Sequence, residues 1–410
     1  MKKNYIYLVI IVVLILVLGG LVYFATGFNN KNTSNNVSTS TNNTNTGSTT
    51  SSSTSSSGGT PVVYSKDDLF TDRDLTQTAD LSNATTYTVS SNNDIHITEE
   101  GVYVITGTAE NVTIYVEAAD EAKVQLVLDG LNITNSDFPC IYVKSGDKIF
   151  VTTSSDSTLS VTGIFVADGD TNTDGVIFSK SDITLNGTAT LTIKSTANGI
   201  VGKDDLKITG GTYNVESTKK CIEANDSIRI SDGTFNLTSG TDAIHSENSD
   251  DDSLGYIYIC GGTFTINAGD DGIHGTSIVQ IDDGTFTINA VEGIEGTYVR
   301  INGGNITISA SDDGINATSK STAYSVVFEM NGGNIKITMG QGDTDGVDSN
   351  GDIYINGGTI DVTGNSTFDY DGTAQYNGGT VIVNGSETTT IPNQIMGGGG
   401  MGGHPGKMMN

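Results

Sequence analysis

Residues 256–266 read YIYICGGTFTI, two apolar alternations joined at a Gly-Gly pair. The phrase recurs with its second glycine at Gly187, Gly211, Gly233, Gly262, Gly284, Gly304, Gly333, Gly358 and Gly379, a repeat of 20 to 29 residues. A period just above twenty, with three short strand phrases and no Leu/Asn consensus of a leucine-rich repeat, fits one coil of a parallel β-helix. Alternation then sorts inside from outside. Phe235, Phe264, Phe286, Ile306, Ile335 and Ile360 hold one equivalent position, and Leu237, Ile266, Ile288, Ile308, Ile337 and Val362 lie two residues on, so both rows point inward and stack. The fold class expected is all-β, a right-handed parallel β-helix solenoid.

Composition agrees with many short strands and polar turns. The chain of 410 residues has 52 Gly, 4 Pro and no Trp, and is rich in Thr, Ser, Asn and Asp. Its formal charge of -29, from 48 acidic against 19 basic residues, argues against a nucleic-acid or anionic-membrane partner, which the field would repel, and favours cations. Cys140, Cys221 and Cys260 show neither a disulfide framework nor metal-ligand spacing.

Four segments follow along the chain. Residues 1–27 carry Lys2 and Lys3 and then an uncharged apolar run over 5–24, long enough to cross a bilayer, so they are expected to form an uncleaved signal anchor with the rest of the chain outside the cell, a cleaved signal peptide and a secreted protein being the alternative. Residues 28–61 are Ser, Thr, Asn and Gly almost throughout and are expected to be a flexible spacer. Residues 62–390 hold the β-helix, with the first coils or a cap near residues 67–98, and residues 391–410 form a Gly/Met-rich tail. Two longer repeats place extra residues at 246–256 and 318–325, at one point of the coil, where they are expected to wall a groove.

A second phrase, an acid followed by a small residue and a branched one, recurs at Asp174, Asp242, Asp271, Glu292, Asp313 and Asp345. Coils of a β-helix lie about 4.8 Å apart, so these carboxylates are expected to form a column. Two unit charges at that distance repel by roughly 0.9 kcal/mol in water and about 3.5 kcal/mol at an effective dielectric of 20. Such a column asks for Ca2+, whose oxygen ligands at about 2.3–2.6 Å match the coil spacing, and Asp270, Glu295, Asp312 and Asp348 supply further oxygens. Plain Asp-Gly turn chemistry is the competing explanation. The stretch DGDTNTD at 168–174 resembles an EF-hand loop but has Thr173 and Ser179 where that loop needs Gly and Glu.

Outward from the strand before each Gly-Gly turn come Lys207, Arg229, Tyr258, Gln280, Arg300, Glu329 and Tyr354. Tyr stacks on sugar faces and Arg grips carboxylates, so Arg229, Tyr258, Arg300 and Tyr354 are the candidate glycan ligands. The enzymatic alternative is a lyase-type β-elimination in which Lys203, Lys220, Arg229 or Arg300 takes the proton, but no catalytic signature surrounds them. A structural adhesin or an ice-binding surface is the remaining alternative. The Thr263/Thr265 and Thr285/Thr287 ladder that favours ice is broken by Asn236, Lys336 and Asp361.

DLFTDRD at 68–74, KVQLVLDGLNI at 123–133, IYVK at 141–144, IFSK at 177–180, GIVGKDDLKITGG at 199–211 and GYIYICGGTF at 255–264 together resemble the clostridial carbohydrate-binding family with a polysaccharide-lyase-like β-helix. The resemblance runs from about Tyr64 to Gly385. It implies a right-handed parallel β-helix, bound calcium, an exported location, and binding of plant cell-wall polymers such as cellulose and pectin without established catalysis; the protein is separately expected to be a monomer. The resemblance assigns no calcium ligand, so the site residues rest on the stacking argument.

Overall fold

The computed structural model describes residues 61–341 and 344–394. The expected anchor, residues 1–27, and the spacer up to residue 60 lie outside the described residues, as does the tail from residue 395.

Each coil contributes three strands, and each strand pairs in parallel with its counterparts one coil below and one above. Asp205–Ile208, for example, pairs with Ile183–Gly187 on one side and Ser227–Ile230 on the other. Three strand rows result. The first precedes the Gly-Gly turn, the second follows it, and the third carries the acidic phrase. The solenoid ends in an antiparallel hairpin of Thr380–Val383 with Ser386–Thr388, which turns the last strand back on itself.

The expected inward ladders are present. Tyr213, Phe235, Phe264 and Phe286 stack in successive coils with centroids 5.3, 4.5 and 4.5 Å apart, and all are buried. Ile306, Ile335 and Ile360 continue the column in register. In the third row Ile222, Ile244, Ile273, Ile294, Ile315 and Val347 form an equally buried column. Parallel in-register pairing places like on like, so flat rings meet face to face and branched side chains interlock.

The repeated second glycine has a backbone reason. Gly358 has φ +79°, and a Cβ there would lie 2.6 Å from the Gly333 carbonyl oxygen of the coil below. A side chain at this corner is thus opposed by both its own backbone and its neighbour's. The glycine of the acidic phrase is different. Gly293 has no positive φ, but a Cβ would lie 2.3 Å from the Gly314 oxygen and 2.6 Å from Ile308 Cγ2. Close packing of coils, rather than turn conformation, excludes a side chain there.

Residues 61–84 are neither a first coil nor an end cap. The first coil begins with Thr85–Thr88, paired in parallel with Gly101–Glu110. The preceding segment runs along the outside of the first strand row as a strap. It contains a one-turn helix, Lys66–Leu69, capped by Ser65. Tyr64 stacks on Tyr256 at 4.3 Å, and its backbone exchanges two hydrogen bonds with the Gln280 amide, at 3.0 and 2.8 Å. Asp74 is fully buried between Lys148, at 3.4 Å, and Lys207, at 3.2 Å. Burial alone would raise the Asp74 carboxyl, but the Thr71 N–H and the two ammonium groups hold it below the usual range.

Removing one partner of a buried pair leaves the other charge uncompensated. Asp74→Asn is therefore expected to destabilise the protein by about 3–5 kcal/mol. Urea unfolding checks this, and a change within error of zero would show that the strap is not anchored at Asp74.

Candidate functional site

On the third strand row the residue one after each buried Ile or Val points outward. The residue two before that Ile or Val, which strict alternation would turn inward, departs from the pattern and lies beside the outward one, as Asp242 does beside His245 and Asp271 beside His274. The earlier position gives Lys220, Asp242, Asp271, Glu292, Asp313 and Asp345 in successive coils, then Ser366. The later one gives Glu223, His245, His274, Glu295, Asn316, Asp348 and Asp369, in direct register. Two columns of side chains therefore stand side by side. Backbone contacts confirm the vertical alignment: the Asp271 N–H donates to Asp242 Oδ1 at 3.4 Å and the Asp345 N–H to Asp313 Oδ1 at 3.1 Å.

The columns also interact across the strand. His245 Nδ1 lies 2.7 Å from Asp242 Oδ2, and His274 Nδ1 lies 2.7 Å from Asp271 Oδ2 and 2.9 Å from Glu295 Oε2 of the next coil. The two imidazoles are 4.7 Å apart. Asn316 Nδ2 donates to Glu292 Oε2 at 2.9 Å and to Glu295 Oε1 at 3.4 Å. Lys320 reaches Glu295 Oε1 at 2.9 Å from the 318–325 insertion. That insertion meets the other one, with Ser321 Oγ donating to the Asp252 carbonyl at 2.6 Å. The two insertions thus project together, as their common place in the repeat predicts.

The electrostatic strain is visible in proton affinity. Burial, followed by the neighbouring carboxylates, pushes Glu292 up to about 8, Asp313 to about 7 and Asp348 to about 6. Burial also raises Asp271, to about 6, against the pull of His274. Burial opposes the charge on His274, yet Asp271 and Glu295 raise it to about 9. Asp242 and Glu295 are held low despite burial, the first by His245 and the second by His274 and Lys320.

The other expected site residues fall elsewhere. Asp270 and Asp312 are exposed, one residue before the column. Asp174 sits one residue out of register, because Gly175 rather than Asp174 pairs with Asn198, and its carboxylate is taken by Asn172 Nδ2 at 2.9 Å and Lys219 at 3.6 Å. Asp168 of the EF-hand-like stretch accepts from the Tyr142 hydroxyl at 3.1 Å and pairs with Lys144 at 3.3 Å.

The outward row of the first strand differs most from expectation, because the strap covers it. Tyr258 has no exposed surface and donates its hydroxyl to Asp282 at 2.7 Å. Arg300 is 5% exposed, bound to Glu329 at 2.8 Å and to the Val62 carbonyl at 3.1 Å. Arg229 is half-buried and bound to Asp205 at 2.6 Å. Tyr354, also half-buried, donates to Asp352 at 3.0 Å. The row is a docking face for the chain's own residues 62–75, and no continuous solvent-facing track joins these four.

His245 and His274 were absent from the residues expected at the site. The available signal was the repetition itself: Asp242-Ala-Ile-His245, Asp271-Gly-Ile-His274 and Glu292-Gly-Ile-Glu295 carry a ligand-type side chain at both ends of one repeated phrase. Ligand atoms of Asp271, His274 and Glu295 lie within 4.8 Å of one another, as do those of Asp242, His245 and His274.

The raised carboxyls and the raised His274 all keep protons in the folded state that the unfolded chain has lost, so stability falls as pH rises from about 5 to about 8. Asp242 and Glu295 have the opposite sign, but their loss comes only below the ordinary carboxylate range. In chelator, the urea midpoint is expected to decrease across that window, with Glu292→Gln flattening the decrease. A midpoint that climbs with pH would contradict the burial of these groups.

A family profile described as "Carbohydrate-binding domain-containing protein" matches residues 91–346 and 291–392. A curated relative with the same description, from Acetivibrio thermocellus, is 35% identical over 126 residues, which are 30% of this chain and 44% of that protein. The chain thus spans less than half the length of the relative it matches. A solved structure titled as the polysaccharide lyase-like protein from C. thermocellum, a gadolinium derivative, aligns with TM-score 0.41 at 23% identity, over 73% of this chain and 96% of its own.

Proposed function

The chain belongs to the carbohydrate-binding-domain family, and from that premise we propose that it binds cell-wall-type polysaccharide, cellulose or pectin, through calcium held on the acidic face of the third strand row. The observation that carries the reading is the unbroken column Asp242, Asp271, Glu292, Asp313 and Asp345, with Glu295 and Asp348 beside it. A chain of net charge -29 repels a polyuronate. Calcium reverses the sign locally. Its 6–8 oxygen ligands exceed what one coil supplies, which leaves positions for a uronate carboxylate or sugar hydroxyls.

Binding without catalysis is the form we favour. A lyase needs a free base beside the cation, whereas the lysines aimed at this face are engaged: Lys203 and Lys220 with Glu223 at 4.0 and 3.8 Å, and Lys320 with Glu295. Arg229 and Arg300 lie on another face, paired with Asp205 and Glu329. We further propose that the protein acts outside the cell, as a monomer held at the membrane by residues 1–27.

The test is retention on insoluble cellulose and on polygalacturonate, in calcium and in chelator, while absorbance of unsaturated uronides is followed. Calcium-dependent retention without new absorbance is expected. Glu292→Gln combined with Asp313→Asn should weaken retention by roughly tenfold or more, the loss of about 1.4 kcal/mol. Growing absorbance would make the protein a lyase, and no retention on either polymer would overturn the proposal.

A further inference from the structure

The acidic face changes chemistry along its length. From Glu292 upward the outward donors are oxygens alone, in Glu292, Glu295, Asp313, Asn316, Asp345 and Asp348, whereas the two coils below contribute the imidazoles of His245 and His274. Calcium and magnesium take oxygen ligands, whereas imidazole nitrogen suits borderline transition-metal ions. We propose that Asp271, His274 and Glu295 bind a zinc-class divalent ion, with Asp242 and His245 offering further donors from the coil below. The proposal rests on reading this face as cation-binding, but neither on calcium nor on a glycan.

The donor geometry supports it. One imidazole nitrogen, His274 Nδ1, has carboxylate oxygens from two different coils at 2.7 and 2.9 Å, Asp271 Oδ2 and Glu295 Oε2. A single N–H points at one acceptor, and only the Asp271 contact has hydrogen-bond geometry. Three ligand atoms converging from two coils onto one small volume match a metal donor set. Around tetrahedral zinc, with ligands at roughly 2.0–2.2 Å, neighbouring donors stand roughly 3.3 Å apart, a widening of about half an ångström here that side-chain rotation supplies.

The surroundings are built as the outer layer of a metal site is built. Glu295 gives Oε1 to Lys320 and Asn316 and keeps Oε2 for the His274 side, so its orientation is fixed before any ion arrives. Three polar atoms nearby have no hydrogen-bond partner although they are buried. They are Asn316 Oδ1, on a residue 8% exposed; His274 Nε2, on a residue 9% exposed; and His245 Nδ1, which lies beside Asp242 without hydrogen-bond geometry. An unmet acceptor and two imidazole nitrogens in one buried patch are costly unless something binds there. The rival is a protonated His274 serving as an internal counter-ion for two carboxylates, with no metal.

The test uses the full chain, stripped with chelator and titrated with Zn²⁺, Co²⁺ and Ca²⁺ in the absence of glycan. Zn²⁺ should bind at one site that excess Ca²⁺ does not displace, and Co²⁺ should give visible absorption bands of a nitrogen-containing low-coordinate site. His245→Asn with His274→Asn should weaken Zn²⁺ binding by roughly 10- to 100-fold, with circular dichroism reporting the fold. The chain's other histidines are His96 and His404, so zinc-edge absorption of the wild type and of His96→Asn with His404→Asn covers the case in which the site variant fails to fold. An imidazole shell retained in that second variant supports the site. An all-oxygen shell, displacement by equimolar Ca²⁺, or a folded site variant that binds Zn²⁺ as tightly as wild type would overturn it. Polysaccharide retention measured in parallel separates the readings: retention without zinc binding sinks only the metal proposal, and zinc binding without retention sinks only the glycan proposal.

Discussion

The structure depends on the spacing between coils. Parallel, in-register pairing holds each residue one coil height, about 4.8 Å, from its counterpart above and below. Whatever a repeat places at one position is therefore repeated beside itself along the axis. For rings and branched aliphatics this is favourable, and the Tyr213 to Phe286 stack and the column from Ile222 to Val347 show it. It also forces the corner glycines, because a side chain at Gly358 would strike the coil below.

The same spacing acts on the outside with the opposite sign. Asp271, Glu292 and Asp313 are brought together by a register that the core fixes, and their proton affinities are raised first by burial and then by that crowding of carboxylates. The molecule relieves part of it internally, with His274 and Lys320 against Glu295 and with Asn316 against Glu292. On the first strand row the outward groups meet a different fate, since the strap covers them and pairs Lys207 with Asp74 and Gln280 with Tyr64. One face is closed by the chain's own strap, and the acidic face lies outside it.

The coil was legible in the sequence because its signals are local and repeated: the Gly-Gly corner, the Phe/Ile alternation and the two insertions at one point. Most of the acidic column was legible for the same reason. Asp174 was not, since a shift of one residue between coils is set by pairing and leaves no mark on a single repeat. The histidines were not legible from alternation, which turns a residue three after the acid to the opposite face; the departure from that pattern which brings His245 to Asp242 and His274 to Asp271 shows only in the folded chain. The strap is the part that could not be read. DLFTDRD has no periodicity, and its burial of Tyr258 and Arg300 depends on contacts more than 130 residues away in sequence, such as Lys207 with Asp74.

The central claim is that the acidic column of the third strand row is where a cation is held. Anomalous scattering from crystals grown with calcium tests it directly. The account predicts anomalous peaks between coils beside Glu292, Asp313 and Asp345. Crystals with an empty column at saturating calcium, or with ions confined to exposed loops such as the one containing Asp250, would contradict it.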